Sequence, residues 1–178
     1  MTVIDEMQKF AAEMTEFRRD FHAHPELGYE EERTADRVAR RLASYGVEVR
    51  RGLAKTGVVG TLRRGNSTRS LGLRAELDAL PMAELNHFSH RSRHDGRMHA
   101  RGLDGHTTML LGAARHLADK GDFGGVVNFI FQPAEEGGAG ADAMIKEGFS
   151  SSFPATRCSA RITRRVLPLA SSRFGQGR

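Results

Sequence analysis

With 178 residues, of which 39% are hydrophobic and 28% charged, the chain is long enough to bury a core and most simply forms one domain. No apolar run approaches a membrane span, the first ten residues carry acids and no signal-like cleavage site, and a single cysteine, Cys158, excludes an internal disulfide. These features predict a cytoplasmic protein with no membrane partner. The net charge of +5 would suit a nucleic-acid binder, yet residues 151–178 hold six Arg and no acid, so the tail alone makes the chain basic. Phe153 and Phe174 are the tail's only aromatics, and nucleic acid is not the expected partner.

From the N-terminus, Ile4, Met7, Phe10, Met14, Phe17 and Phe21 recur every three to four residues and predict one helix ending near Pro25. A second helix should start near Glu31 and run through Ala35, Val38, Ala39 and Leu42, with Gly46 placed for the left-handed stop. Three extended segments follow, Val47–Arg50, Gly57–Leu62 and Ser70–Leu77, with a surface turn at residues 63–67 between the last two. Asp78–Arg97 lacks periodicity, contains Pro81 and is rich in His and Arg, as expected of a long loop beside a site. Gly105–Ala118 reads as a helix packing Met109, Leu110, Ala113 and Leu117. Val126–Phe131 is a continuous apolar run suited to a buried parallel strand, and Ala141–Glu147 is a short helix stopped by Gly148. Helices alternating with strands around a buried central strand imply an α/β sheet with helices on its faces.

Directly after that central strand comes Gln132-Pro133-Ala134-Glu135-Glu136-Gly137-Gly138, two adjacent carboxylates in a Gly-rich turn. Exposed Glu pairs are usually solvated surface, but the end of a buried strand is where a site forms. There one carboxylate can bind a metal while its neighbour accepts a proton from the attacking water. Upstream, Met98-His99-Ala100-Arg101-Gly102-Leu103-Asp104-Gly105-His106 could supply the other half of such a site. His90, His94 and His99 fit no standard ligand spacing and read as scattered loop histidines, while His116 suits a helix C-terminal dipole.

Several motifs occur together in order: Arg18-Arg19-Asp20-Phe21-His22-Ala23-His24-Pro25-Glu26-Leu27-Gly28, Arg74-Ala75-Glu76-Leu77-Asp78-Ala79-Leu80-Pro81, the Gly105-His106 helix and the Glu135-Glu136 turn. Together they resemble the metal-dependent amidohydrolases that include aminoacylases, hippurate hydrolases and auxin-conjugate hydrolases. The resemblance covers residues 1 to about 150. It implies a zinc-exopeptidase-like catalytic domain with a mixed, mainly parallel sheet flanked by helices, here incomplete and without the small lid and dimerisation domain. It also implies a zinc or manganese cofactor and an N-acyl amino acid substrate, whose amide is attacked by a metal-bound water. By the same resemblance Glu135 is the general base, Glu136 a metal ligand and Asp78 an acid held beside the metal. Glu76 stands where the family usually has Asp, His106 matches a His outside the ligand set, and His22 and His24 are expected to be structural.

The resemblance fails at two positions. The family's Cys-Gly-His-Asp-Gly-His segment supplies two ligands, and Arg101 and Leu103 occupy their places. A guanidinium is a cation with no lone pair to donate and Leu has no donor atom, so metal should be lost or weakly held and activity absent. Arg101 could instead neutralise Glu135 and Glu136. From about residue 151 the chain reads as a basic, frameshifted tail. With permitted codons, Thr156–Thr163 read in another frame gives Ala-Val-Phe-Gly-Ala-His-Asn, which resembles the segment carrying the next metal-binding His. The alternative role is a non-catalytic interaction or regulatory fragment, associating with an intact relative or with itself through an exposed sheet edge.

Overall fold

The apolar run Val126–Phe131 lies at the centre of the molecule. In the computed structural model, which describes residues 2–160, it forms β4 (Gly125–Gln132) between β2 (Gly57–Arg64) and β3 (Ser70–Glu76). β1 (Glu48–Leu53) and β5 (Arg157–Ala160) complete a five-stranded sheet of order β1-β2-β4-β3-β5. β1 with β2 and β2 with β4 pair antiparallel, whereas β3 runs parallel to both β4 and β5. The sheet is mixed, as expected, with its pairings divided evenly between the two senses.

Side chains alternate across a strand, so β4 serves two layers at once. Val127, Phe129 and Phe131 enter the larger core with Val58 and Leu62 of β2, beneath α2 (Ala11–Ala23), α3 (Glu32–Ser44) and α4 (Leu103–Lys120). Ile130 points the other way, into a smaller core with Val59, Leu53 and Met144, which α5 (Gly140–Lys146) covers with α6 (Phe149–Ser152) beside it. α3 has an unusual start, because its N-cap Glu31 makes no capping hydrogen bond with its side chain. The Glu26 carboxylate does that work from five residues upstream, accepting from the N–H groups of Arg33 at 3.0 Å and Thr34 at 2.7 Å. Glu31 is thereby free to point elsewhere.

The structure changes several element boundaries. The single N-terminal helix is two: α1 (Val3–Gln8) ends, and α2 begins only after Phe10, whose side chain turns into the core at 8% exposure. Ile4 is 69% exposed, so the first turn of the apolar stripe has no partner surface among the described residues. In α4 the buried face is Leu110, Leu111 and Ala114, and Met109 is 40% exposed, one position off the expected stripe. His116 lies inside α4, whose last turn carries Lys120. Gly46 (φ +75) and Gly148 (φ +88) take the left-handed conformation expected of them. Residues 157–160, expected to belong to the irregular tail, extend the sheet along β3; the remainder of that tail, from residue 161, lies outside the described residues. No helix among the described residues is long and apolar enough to cross a membrane.

Truncating Phe129, fully buried, should cost about 3–5 kcal/mol as Phe129→Ala, whereas Met109→Ala should cost under about 1 kcal/mol. Urea unfolding of both variants checks this; comparable losses would mean that Phe129 is not at the centre of the core.

Candidate active site

Because β3 and β4 are parallel, their C-terminal ends lie side by side, with Glu76 opposite Gln132. Leu77 N–H continues the pairing to the Gln132 carbonyl at 2.9 Å. The chain leaving β3 therefore delivers Asp78 beside the turn leaving β4. Asp78 is fully buried, and its two oxygens accept from the backbone N–H groups of Glu135 (3.0 Å) and Glu136 (2.8 Å). Both acceptors of the carboxylate are committed to the turn's backbone, which fixes where the two glutamates stand.

The segment before α4 closes over this turn. Gly102 (φ +78) turns the chain into the helix, Leu103 is buried, and Arg101 projects outward to place Nη1 2.9 Å from Glu136 Oε2. The pairing expected with both glutamates forms with Glu136. Arg101 is 60% exposed and Glu136 16%, so the pair is partly screened and worth at most about 1 kcal/mol. Burial raises the Glu135 carboxyl above its usual range, helped by the negative charge of Glu136 and Glu76, with Arg101 opposing. A glutamate so shifted takes up a proton more readily than an exposed one.

The residues present do not fit the metal centre that the resemblance implies. Glu136 retains one buried oxygen, Oε1, without a hydrogen-bond partner, as a ligand would. Its other oxygen is taken by a cation, Arg101 and Leu103 bring no lone pair, and no three His, Cys, Asp or Glu among the described residues are grouped to hold a metal ion.

Around the turn lie polar groups whose roles composition and spacing did not disclose. His106 Nδ1 is 2.8 Å from Glu76 Oε2, and Glu76 Oε1 pairs with Arg74, so the buried charge at the end of β3 is compensated on both sides. Thr107 adds a hydroxyl hydrogen bond to the Glu76 carbonyl. His22 bridges two acids, its Nδ1 3.0 Å from Asp104 and its Nε2 3.0 Å from Glu84. Glu84 also accepts from Ser92 N–H, so one imidazole ties the 78–97 loop to α4. The Asp104 hydrogen bond, chiefly, raises the His22 pKa against the effect of burial. His99 is 4% exposed with both ring nitrogens unpartnered, and burial drives its pKa down to about 4. His90 stacks on Phe88 and, like His99, lies against the His22 ring, whereas His94 meets His24 edge-on.

Against protein-family models, residues 72–162, just over half the chain, match the description "Peptidase family M20/M25/M40". The chain belongs to that family. The M20 match runs past residue 150, where the motif resemblance was expected to end, and takes in β5. Among curated M20-like relatives, the hippurate hydrolase of Campylobacter jejuni is 46% identical over 153 residues, 86% of this chain and 40% of that protein. An IAA-amino acid hydrolase of Arabidopsis thaliana is 46% identical over 136 residues, 76% of this chain and 31% of that protein. A solved dinuclear metal-binding peptidase of the M20 family from Bacillus subtilis superposes with a TM-score of 0.84 at 33% identity, covering 90% of this chain and 45% of that one. The chain thus spans less than half the length of these M20 relatives.

Two of the buried histidines, His22 and His99, have opposite linkage. A raised pKa means that the His22 contribution is complete below 6.5 and is lost as pH rises through the folded value. The depressed pKa of His99 means that its neutral, buried form becomes destabilising as pH falls from 6.5 toward about 4. We expect unfolding free energy to decline over that acid interval, and His99→Leu to make the decline shallower in urea titrations at fixed pH; equal slopes would assign the acid sensitivity to other groups.

Proposed function

We propose that this chain carries the scaffold for hydrolysing the amide bond of N-acyl amino acids, with Glu135 in the general-base position, Glu136 in the ligand position and Asp78 fixing both, and that it does not turn over. The single observation behind this reading is the Arg101–Glu136 ion pair at 2.9 Å, a side-chain cation on the carboxylate that in the resembling enzymes would face the metal. Support for the substrate class comes from relatives named as hippurate hydrolase and IAA-amino acid hydrolase, both of which act on amides of amino acids. With two donors replaced, zinc or manganese is held weakly or not at all, and what remains is recognition of the acylated amino acid in the cytoplasm without cleavage.

The test is metal content and turnover. Purified chain incubated with zinc or manganese and desalted should retain far less than one equivalent by elemental analysis and release no glycine from hippurate above background. The double substitution Arg101→Cys with Leu103→His should tighten metal binding by more than the roughly 10–100-fold that an outer-shell partner contributes. Stoichiometric metal or hippurate cleavage by the unmodified chain would overturn the reading.

A further inference from the structure

Among the described residues five non-glycine positions have left-handed backbones: Tyr29 (φ +65), Ala54 (+48), Lys55 (+69), Ala134 (+48) and Ala139 (+51). Such residues are uncommon singly and persist where their surroundings over-determine them. Here they occupy three loops that meet at the dicarboxylate turn: residues 28–31 before α3, the β1–β2 hairpin at 53–57, and the turn at 133–140 itself. The loops are in contact without slack. A Cβ on Gly28 would lie 3.0 Å from the Ala134 Cα, and one on Gly57 would lie 3.2 Å from the Pro133 Cδ. Tyr29 donates its hydroxyl to the Gly138 carbonyl.

One side chain joins all three loops. Glu31 is fully buried; its Oε1 accepts from Ala134 N–H at 2.8 Å and its Oε2 from the Thr56 hydroxyl at 2.6 Å. It is available for this because Glu26 caps α3 in its place. Ala134 is the residue immediately before Glu135, so its backbone angles set the direction in which the pair leaves β4. Asp78 holds the next two N–H groups, and with Glu31 the turn has three consecutive amides fixed by two buried carboxylates.

We propose that Glu31 is a positioning residue for the dicarboxylate turn, holding Ala134 in its left-handed conformation and so aiming Glu135 and Glu136. The inference takes from the proposed function only the reading of those two glutamates as the site. It requires neither metal nor turnover, so its test is separate from that of hydrolysis.

The measurement is amide hydrogen exchange resolved at Ala134, Glu135 and Glu136, with Phe129 and Phe131 of β4 as internal controls, in the unmodified chain and in Glu31→Leu, Glu31→Gln and Thr56→Val. Leu removes both acceptors at similar bulk, and all three turn amides should exchange at least about tenfold faster with the two controls unchanged. Gln keeps an oxygen for Ala134 N–H and an N–H for the Thr56 oxygen, and should restore protection to within about threefold. If Glu31→Leu does not fold, Thr56→Val is decisive, since freeing one end of the carboxylate should speed the turn amides by about threefold or more while the controls hold. Unchanged exchange, acceleration at Ala134 alone, or equal acceleration of turn and controls would each overturn the proposal. Hippurate cleavage by the unmodified chain would overturn the proposed function and leave this one standing.

Discussion

Two buried carboxylates with no solvent contact, Asp78 and Glu31, receive backbone N–H groups from the turn that follows β4, and the geometry of the site depends on that. A buried charge without partners would be costly, so each carboxylate is stable only if the turn stays where it is. The turn in turn keeps an unfavourable backbone at Ala134 only because its N–H groups have no better acceptors. The constraint reaches outward from there. Parallel pairing of β3 with β4 places Asp78 within reach, and the distant capping of α3 by Glu26 leaves Glu31 unoccupied.

Charge compensation repeats around the site in the same form. Glu76 lies between His106 and Arg74, and His22 between Asp104 and Glu84. Each arrangement ties an irregular or terminal segment to a regular one: the end of β3 to α4, and the 78–97 loop to α2 and α4. His99 stands outside this pattern, buried with neither ring nitrogen hydrogen-bonded and held neutral by burial. The irregular loop is therefore attached at specific points, including the Leu80–Met98 bridge and the hydrogen bond from Arg93 N–H to the Ala23 carbonyl.

What the sequence disclosed follows from which interactions are local. The apolar run Val126–Phe131 identified the central strand because burial on both faces needs an unbroken apolar segment, and Gly46 and Gly148 identified helix ends because the left-handed conformation favours glycine. The Glu135–Glu136 turn was legible by position, after a strand, whereas Arg101 and Leu103 stood out only against the motif the chain resembles. The break at Phe10 was not, since the periodicity of Ile4 and Met7 continues smoothly and only their exposure in the folded chain distinguishes them. On α4 the expected Leu110 and Leu117 do pack in the core, but Met109 and Ala113 were expected where Leu111 and Ala114 are buried, because apolar side chains at 109–111 and 113–114 are contiguous and leave the phase of the face open. Glu31 and Glu84 were hidden for another reason: their partners lie far away in sequence, at Ala134 for one and at His22 for the other, and an acid at a helix start or in a polar loop reads as a cap or a solvated charge.

Arg101 carries its charge on a tether. A metal ion that organises a carboxylate arrives by diffusion, competes with other ions and departs to a chelator, so the order it confers varies with supply. A guanidinium attached to the polypeptide is present at one equivalent, at a local concentration set by the length of its own side chain, and keeps its charge at any pH at which the protein is folded. The order that this screened pair gives Glu136 therefore does not vary with metal supply.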